Sequence, residues 1–234
     1  GTFAVNGYAY PGIDVRVLRR TLPYLTYLSV FSYGFDETGR ILPQQAGQLT
    51  RLARQYGVQP LLVLTTLGED GAFSSERAHR LLHDLAARRG LLDSLQQMLS
   101  AQGFAGVDVD FEYIPPEDAA AYASFIREVR ARLEPEGLTV LVALAPKTSA
   151  AQQGLLYEAH DYRALGAAAD LALLMTYEWG YALSEPMAVA PIDKVAQVVR
   201  FAASVIPPEK LLLGIPNYGY DWTLPYIKGQ IGRA

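Results

Sequence analysis

Three acidic side chains alternate with apolar ones in one short stretch near the middle of the chain, Gly103-Phe-Ala-Gly-Val-Asp-Val-Asp-Phe-Glu-Tyr113. Successive side chains of a β-strand point to opposite faces, so Asp108, Asp110 and Glu112 would share one face at intervals of roughly 7 Å. Burying such a row is costly, and close like charges disfavour full ionisation. We therefore expect at least one of these carboxyl groups to have a raised pKa.

A carboxyl group that stays protonated near neutral pH can serve as a general acid. Glu112 stands last in the row and is the first candidate for that role. Two alternatives remain open at this point. The row could be the acidic face of a half-exposed antiparallel strand that simply meets water, or a metal site made of the three carboxylates, although no further ligand is evidently placed to complete it.

The elements around the row predict where it would lie. Seven strands alternate with helical segments, and the middle strands, such as Leu138–Ala145, are apolar almost throughout. This alternation predicts a parallel sheet wrapped by helices, of class α/β. The length fits a (β/α)8 TIM barrel that lacks its eighth unit, with residues 1–234 forming a single barrel domain incomplete at its C-terminus. The row would then open at the carboxyl ends of the strands, where active sites of this fold lie.

Composition excludes several classes of function. The formal net charge of −4 argues against a nucleic-acid partner, and the absence of cysteine excludes thiolate catalysis and cysteine-ligated metal sites. No apolar run approaches the roughly 18 residues of a membrane span. A strand is predicted directly at the start, Thr2–Tyr8, so we expect a mature or excised domain without a signal peptide.

With these elements in place, the sequence resembles glycoside hydrolase family 18, the chitinase-like (β/α)8 barrels. Gly106-Val-Asp-Val-Asp-Phe-Glu-Tyr113 resembles the family signature D-x-x-D-x-D-x-E on the fourth strand. Met175-Thr-Tyr-Glu178 resembles M-x-Y-D on the sixth strand, and Leu213-Gly-Ile-Pro-Asn-Tyr-Gly219 resembles G-I-P-x-Y-G on the seventh. The continuations Glu-Trp-Gly and Tyr-Gly-Tyr-Asp-Trp are closer to one branch, the bacterial spore-cortex and cell-wall N-acetylglucosaminidases that often carry LysM modules.

The chain departs from the family pattern at four places. The first signature aspartate is Ala105, and the M-x-Y-D aspartate is Glu178, which is one methylene longer. The S-x-G-G motif after the third strand is replaced by Thr65-Thr-Leu-Gly68. The eighth strand, where the family usually places a tryptophan under the sugar, is not found. The last difference leaves open an inactive fragment as an alternative.

The resemblance implies substrate-assisted retaining hydrolysis without a metal or organic cofactor. It implies that Glu112 protonates the leaving oxygen and then activates water, that Asp110 holds the substrate's acetamido N–H, and that Asp108 tunes Asp110. Tyr177 would donate its hydroxyl to the acetamido oxygen. The substrate would be an N-acetylglucosamine polymer, peptidoglycan or chitin-like, which implies an extracellular, cell-wall or spore-associated location.

Other residues are expected to line a sugar groove. Glu178, Tyr218, Asp221 and Trp222 follow the sixth and seventh strands, and Tyr33 on the second strand corresponds to a tyrosine on the family's groove floor, with a buried core position equally open. A chitinase-like sugar-binding protein without activity is the main alternative function. Such proteins typically lose the catalytic glutamate, whereas Glu112 is present.

Two histidines, His79 and His83, are four residues apart on a predicted helix, which is a spacing that metal ligands use. No zincin pattern accompanies them, so we expect a solvated helix face. His160, next to Asp161, receives no role. The helical region from Ser75 to Gly103 is predicted to break at Gly90.

Overall fold

One parallel sheet of seven strands forms the frame of the molecule, as a computed structural model describes it for residues 3–68 and 70–234. The strands are β1 (Asn6–Ala9), β2 (Tyr27–Tyr33), β3 (Gln59–Thr65), β4 (Gly106–Asp110), β5 (Thr139–Leu144), β6 (Leu171–Leu174) and β7 (Leu211–Leu213). Their order in the sheet is their order in the chain, and every neighbouring pair is parallel. Within the described ranges, no strand joins β7 to β1. The predicted seven-stranded, incomplete barrel is therefore confirmed.

In the described ranges, seven α-helices connect the strands: α1 (Val15–Thr21), α2 (Gly47–Gln55), α3 (Ser75–His83), α4 (Leu85–Gln102), α5 (Ala119–Leu133), α6 (Tyr162–Ala168) and α7 (Ile192–Val205). Short polar side chains start several of them. Asp14 accepts a hydrogen bond from the Arg16 backbone N–H at 2.8 Å and so caps α1. Across the described residues, every helix is too short or too polar to cross a bilayer.

Two predicted boundaries differ from the structure. The helical region after Ser75 breaks at Asp84, whose side chain caps α4 by accepting a hydrogen bond from the Ala87 N–H. Gly90 lies inside α4, so the predicted break there was wrong. A Cβ at Gly90 would lie 2.5 Å from the Thr38 carbonyl oxygen, which explains a glycine within a helix. β1 begins at Asn6, and Thr2, where the predicted strand starts, lies outside the described residues.

Apolar side chains pack on both faces of the sheet. A large cluster fills the space between the sheet and the helices and includes Val107, Val109 and Phe111 from the fourth strand and the residues directly after it. A small cluster fills the concave side, built from Leu61, Leu141, Ala143, Leu173 and Met175. The concave side is therefore packed at its base.

Candidate active site

The carboxylate row lies on the concave face of β4 and its extension. Asp108 is fully buried, Asp110 is almost buried, and Glu112 is partly open to solvent. The apolar residues between them pack on the opposite, helix-facing side. The row therefore runs from the interior to the mouth of the half-barrel, with Glu112 outermost.

Asp108 accepts hydrogen bonds from hydroxyl groups on β1 and β2, across the concave side of the sheet. The Tyr8 hydroxyl donates to its Oδ2 at 2.6 Å, and the Ser29 hydroxyl lies 2.9 Å from the same atom. Burial raises the pKa of Asp108 to about 6, although the two hydrogen bonds, which stabilise the ionised form, lower it. This carboxyl group therefore takes up a proton at a higher pH than an exposed aspartate does.

Asp110 and Glu112 form a hydrogen-bonded pair of carboxyl groups. Burial raises the pKa of Asp110 well above its usual value, and the charges of Glu112 and Asp108 raise it further. Burial also raises the pKa of Glu112; the hydrogen bond from Asp110 lowers it and the charge of Glu178 raises it. Burial and the neighbouring negative charges therefore keep Asp110 protonated to a higher pH than an exposed carboxyl group would be.

Aromatic side chains from the ends of β6 and β7 border this pair. The Tyr177 ring is 6.5 Å from that of Tyr218, which is 5.8 Å from that of Tyr220. The hydroxyl groups of Tyr218 and Tyr220 both donate to Glu178 Oε1, the latter at 3.0 Å. The nearby charges of Asp110 and Glu112 add to burial in raising the pKa of Tyr177, so its hydroxyl stays a donor at neutral pH.

Two residues at the mouth adopt the left-handed backbone conformation that is uncommon outside glycine. Tyr113 has a φ of 57° and directly follows Glu112, while Glu178 has a φ of 69° and directly follows Tyr177. Non-glycine residues in this region are strained and concentrate at functional sites. Both turns redirect the chain just after a residue of the site.

His160 supports the row from behind. Its Nε2 donates to the Phe111 carbonyl oxygen at 2.8 Å, and its Nδ1 accepts from the Ala145 N–H at 2.9 Å. Burial lowers the pKa of His160 to about 4, so the imidazole is neutral. No role was predicted for this residue. It links the carboxyl ends of β4 and β5 next to Glu112.

The structure does not bring Tyr33 to the site. Its ring is buried in the helix-facing core against Phe104, 5.8 Å away, and its hydroxyl donates to Gln102. The register between β2 and β3 shifts between Val30 and Tyr33, so the alternation of faces changes there. Tyr33 therefore points away from the concave side, and its expected role in substrate binding is corrected.

Asp221 and Trp222 lie farther along the segment after β7. The Asp221 backbone pairs with Arg233 at 2.8 and 2.9 Å, and the Trp222 ring is 6.3 Å from that of Tyr220. Trp222 extends the aromatic row, whereas Asp221, one position out of phase, is exposed. Sequence reasoning missed Tyr8, Ser29 and Tyr220. The period-two spacing of the tyrosines and Trp222 after β7 could have indicated Tyr220.

A separate group of possible metal ligands lies outside the carboxylate row. In the described part of the chain, the nitrogen and oxygen atoms of His79, His83 and Asp118 come within 4.8 Å of one another, and the row itself forms no such group. The two histidines share one helix face, as their spacing predicted. Their common partner, Asp118, was not foreseen.

Comparisons with known proteins agree with this geometry. A cortical fragment-lytic enzyme of Bacillus subtilis is 43% identical over 90% of this chain and 49% of its own length. A putative sporulation-specific glycosylase, YdhD, of the same species is 33% identical over the whole chain and 55% of its own length. The chain thus spans about half the length of the curated relatives it matches.

Solved structures show the same likeness. The spore cortex-lytic enzyme SleL of Bacillus cereus superposes with a TM-score of 0.93 at 35% identity, covering 98% of this chain and 55% of that one. A chitinase of Chromobacterium violaceum shares the fold, with a TM-score of 0.89 at 24% identity, covering 99% of this chain and 73% of that one. The profile described as "Glycosyl hydrolases family 18" matches residues 18–230. The chain belongs to this family of glycosyl hydrolases.

Proposed function

We propose that this chain hydrolyses β-1,4 bonds after N-acetylglucosamine in peptidoglycan of the spore cortex or cell wall, or in chitin-like polymers. The observation that carries the proposal is the Asp110–Glu112 pair, two neighbouring carboxyl groups at the mouth of the half-barrel whose pKa values are both raised, chiefly by burial. A proton retained there can be given to a glycosidic oxygen. Peptidoglycan is favoured because the matched Bacillus relatives are named for lysis of cortex or cortical fragments.

In the proposed mechanism, Glu112 donates its proton to the glycosidic oxygen as the bond to the anomeric carbon breaks. The carbonyl oxygen of the substrate's own 2-acetamido group attacks that carbon and forms a cyclic oxazolinium ion. Asp110 accepts the acetamido N–H and stabilises the positive charge, and the Tyr177 hydroxyl donates to the acetamido oxygen. Glu112 then takes a proton from water, which opens the ring with retention of configuration.

The neighbouring residues take supporting roles in this proposal. Asp108, held by Tyr8 and Ser29, adjusts the proton of Asp110 through its charge. Glu178, Tyr218 and Trp222 border the sugar groove together with Tyr220, and Asp221 is the least supported of the predicted contacts because it is exposed and out of phase. A cell-wall or spore-associated location, with LysM modules on the same protein, would fit this substrate.

Glu112→Gln tests the proposal. The amide keeps the shape of the side chain but can neither give up a proton to the leaving oxygen nor accept one from water. Release of reducing ends from cortex peptidoglycan and from chitin oligomers should fall at least about 100-fold. Glu117→Gln is the matched control, since this exposed glutamate lies five positions further on and should leave turnover unchanged.

Binding measured on the same samples separates the alternatives. Glu112→Gln that binds the polymer but does not cut it supports the enzyme. Wild type that binds without releasing any reducing ends would instead indicate the sugar-binding protein. Near-normal turnover by Glu112→Gln would contradict the assignment of the acid.

A further inference from the structure

His79, His83 and Asp118 form a compact cluster on the outside of the half-barrel. His79 Nδ1 lies 2.6 Å from Asp118 Oδ2, and His83 Nε2 lies 2.6 Å from Asp118 Oδ1. The two imidazole rings are 4.5 Å apart between centroids. Each carboxylate oxygen therefore faces a different imidazole nitrogen, and all three side chains point to one place.

The fold holds the three residues together from two elements. The histidines are one turn apart on α3, so they lie on the same face. Asp118 ends a single 3-10 turn that begins at Pro116 and leads directly into α5. The Asp118 side chain is only 1% exposed, whereas those of His79 and His83 are 49% and 52% exposed. A buried carboxylate thus forms the base of a site whose imidazole walls are open to solvent.

This donor set matches the preferences of one group of metal ions. Two imidazole nitrogens and a carboxylate oxygen suit Zn²⁺ and similar divalent transition-metal ions, whereas Mg²⁺ and Ca²⁺ prefer oxygen ligands alone. We propose that His79, His83 and Asp118 bind a Zn²⁺-class divalent cation, with water completing its coordination. The half-exposed imidazoles would turn outward by roughly 0.5–1 Å to give zinc–nitrogen bonds of about 2.0–2.1 Å.

The site has a structural consequence for the region after Glu112. Ser75, the first residue of α3, donates a hydrogen bond to the Tyr113 carbonyl oxygen, so α3 already contacts the residue next to Glu112. A metal ion bound by α3 and Asp118 would join the same two segments a second time. Its role is to stabilise the turn between β4 and α5, and it takes no part in the chemistry at the carboxylate row.

Zinc titration of the purified chain tests the proposal. After treatment with a chelator, calorimetry should show one Zn²⁺ per chain, and the Tm should rise as zinc is added because the ion binds the folded state. Changing His83→Gln or Asp118→Asn should each weaken binding at least about 10-fold, which is the loss that changes merely next to metal ligands can cause. Glu117→Gln removes the adjacent exposed carboxylate and should bind zinc as wild type does.

The chain makes this test selective, since it has three histidines and no cysteine, and the third histidine is buried with both ring nitrogens bonded. Binding of Co²⁺ gives a second readout, because its visible absorption reports coordination by protein ligands and should be lost in His79→Gln. Failure of wild type to bind zinc at 100-fold molar excess, or equal binding by wild type and His83→Gln, would overturn the proposal. The cluster would then be two imidazoles hydrogen-bonded to one carboxylate and no metal site.

Discussion

At the scale of residues, three chemically similar carboxyl groups on one strand face differ because their surroundings differ. Asp108 is buried but accepts hydrogen bonds from Tyr8 and Ser29. Asp110 is buried between two other acids, so its pKa is raised by burial and then by their charges. Glu112, outermost, is partly open to solvent, and its pKa is raised by burial and lowered by the hydrogen bond from Asp110. Burial and neighbouring charge thus separate the groups by their readiness to ionise.

The raised pKa of Asp108 predicts how stability depends on pH. Folding moves this pKa from 3.8 to about 6, so the folded state binds more protons than the unfolded state between these values. Its contribution to stability therefore falls as the pH rises from about 4 to about 6. Asp108→Asn removes that term. The free energy of unfolding of the variant minus that of wild type should therefore rise by up to about 3 kcal/mol between pH 4 and pH 8.

Urea unfolding of both proteins at each pH measures this difference. Glu117→Gln, at an exposed position, is the control and should follow wild type at every pH. Curves for Asp108→Asn and wild type that run parallel from pH 4 to pH 8 would contradict the prediction.

The charge of Glu178 is predicted to set the alkaline limit of activity. Glu178 raises the pKa of Glu112, and the proposed acid works only while protonated. Glu178→Gln removes the charge and keeps an oxygen that can accept from Tyr218 and Tyr220. The alkaline limb of the pH profile for kcat/KM should therefore move to lower pH, with less loss at its optimum than Glu112→Gln causes. Glu185→Gln, an exposed acid seven residues on, should leave the limb in place; an unmoved limb in Glu178→Gln would sink the idea.

At the scale of elements, the close approach of β6 and β7 positions Tyr177. A Cβ at Gly214 would lie 2.4 Å from the Leu174 carbonyl oxygen and 2.9 Å from Tyr177 Cε1. We expect Gly214→Ala to cost about 1–3 kcal/mol of stability and to lower turnover by displacing the Tyr177 ring. Gly219→Ala is the matched control, since nothing lies within 4 Å of the Cβ it would add. Chemical denaturation and turnover measure both effects, and equal behaviour of the two variants would refute the steric argument.

The same scale shows where periodicity succeeds and where it fails. Apolar runs bounded by turn residues located strands such as β3 and β5, because strands buried on both faces are apolar almost throughout, and the alternation of acidic and apolar residues located β4. The face of Tyr33 was not predictable, since the register shift after Val30 leaves no mark in the pattern. The break at Asp84 was missed for a related reason. An aspartate within a polar stretch, such as the cap Asp84, is a weaker signal of a helix break than a glycine such as Gly90. Gly90 is instead required inside α4 by its close packing against Thr38.

At the scale of the whole molecule, the predicted strand order was enough to bring the residues at the ends of β4 and β6 to the same edge of the sheet. That order follows from the alternation of strands and helices alone. Contacts between distant segments did not follow from it. Tyr8 meets Asp108 across 100 positions, and His79 meets Asp118 across 39. Such pairs depend on strand tilt and loop path, neither of which a local pattern contains.

The uncovered side of β7 predicts how the isolated chain behaves in solution. β3, β4 and β5 are almost entirely buried, but β7 has no neighbour beyond it among the described residues, and Leu213 and Ile215 are 47% and 80% exposed. An apolar sheet edge with unpaired backbone groups favours pairing with another copy. We expect concentration-dependent association of residues 1–234 in light scattering after size exclusion. Ile215→Lys should reduce it, while Leu85→Lys, exposed on α4, should not; a monomer at every concentration would show that β7 is not adhesive.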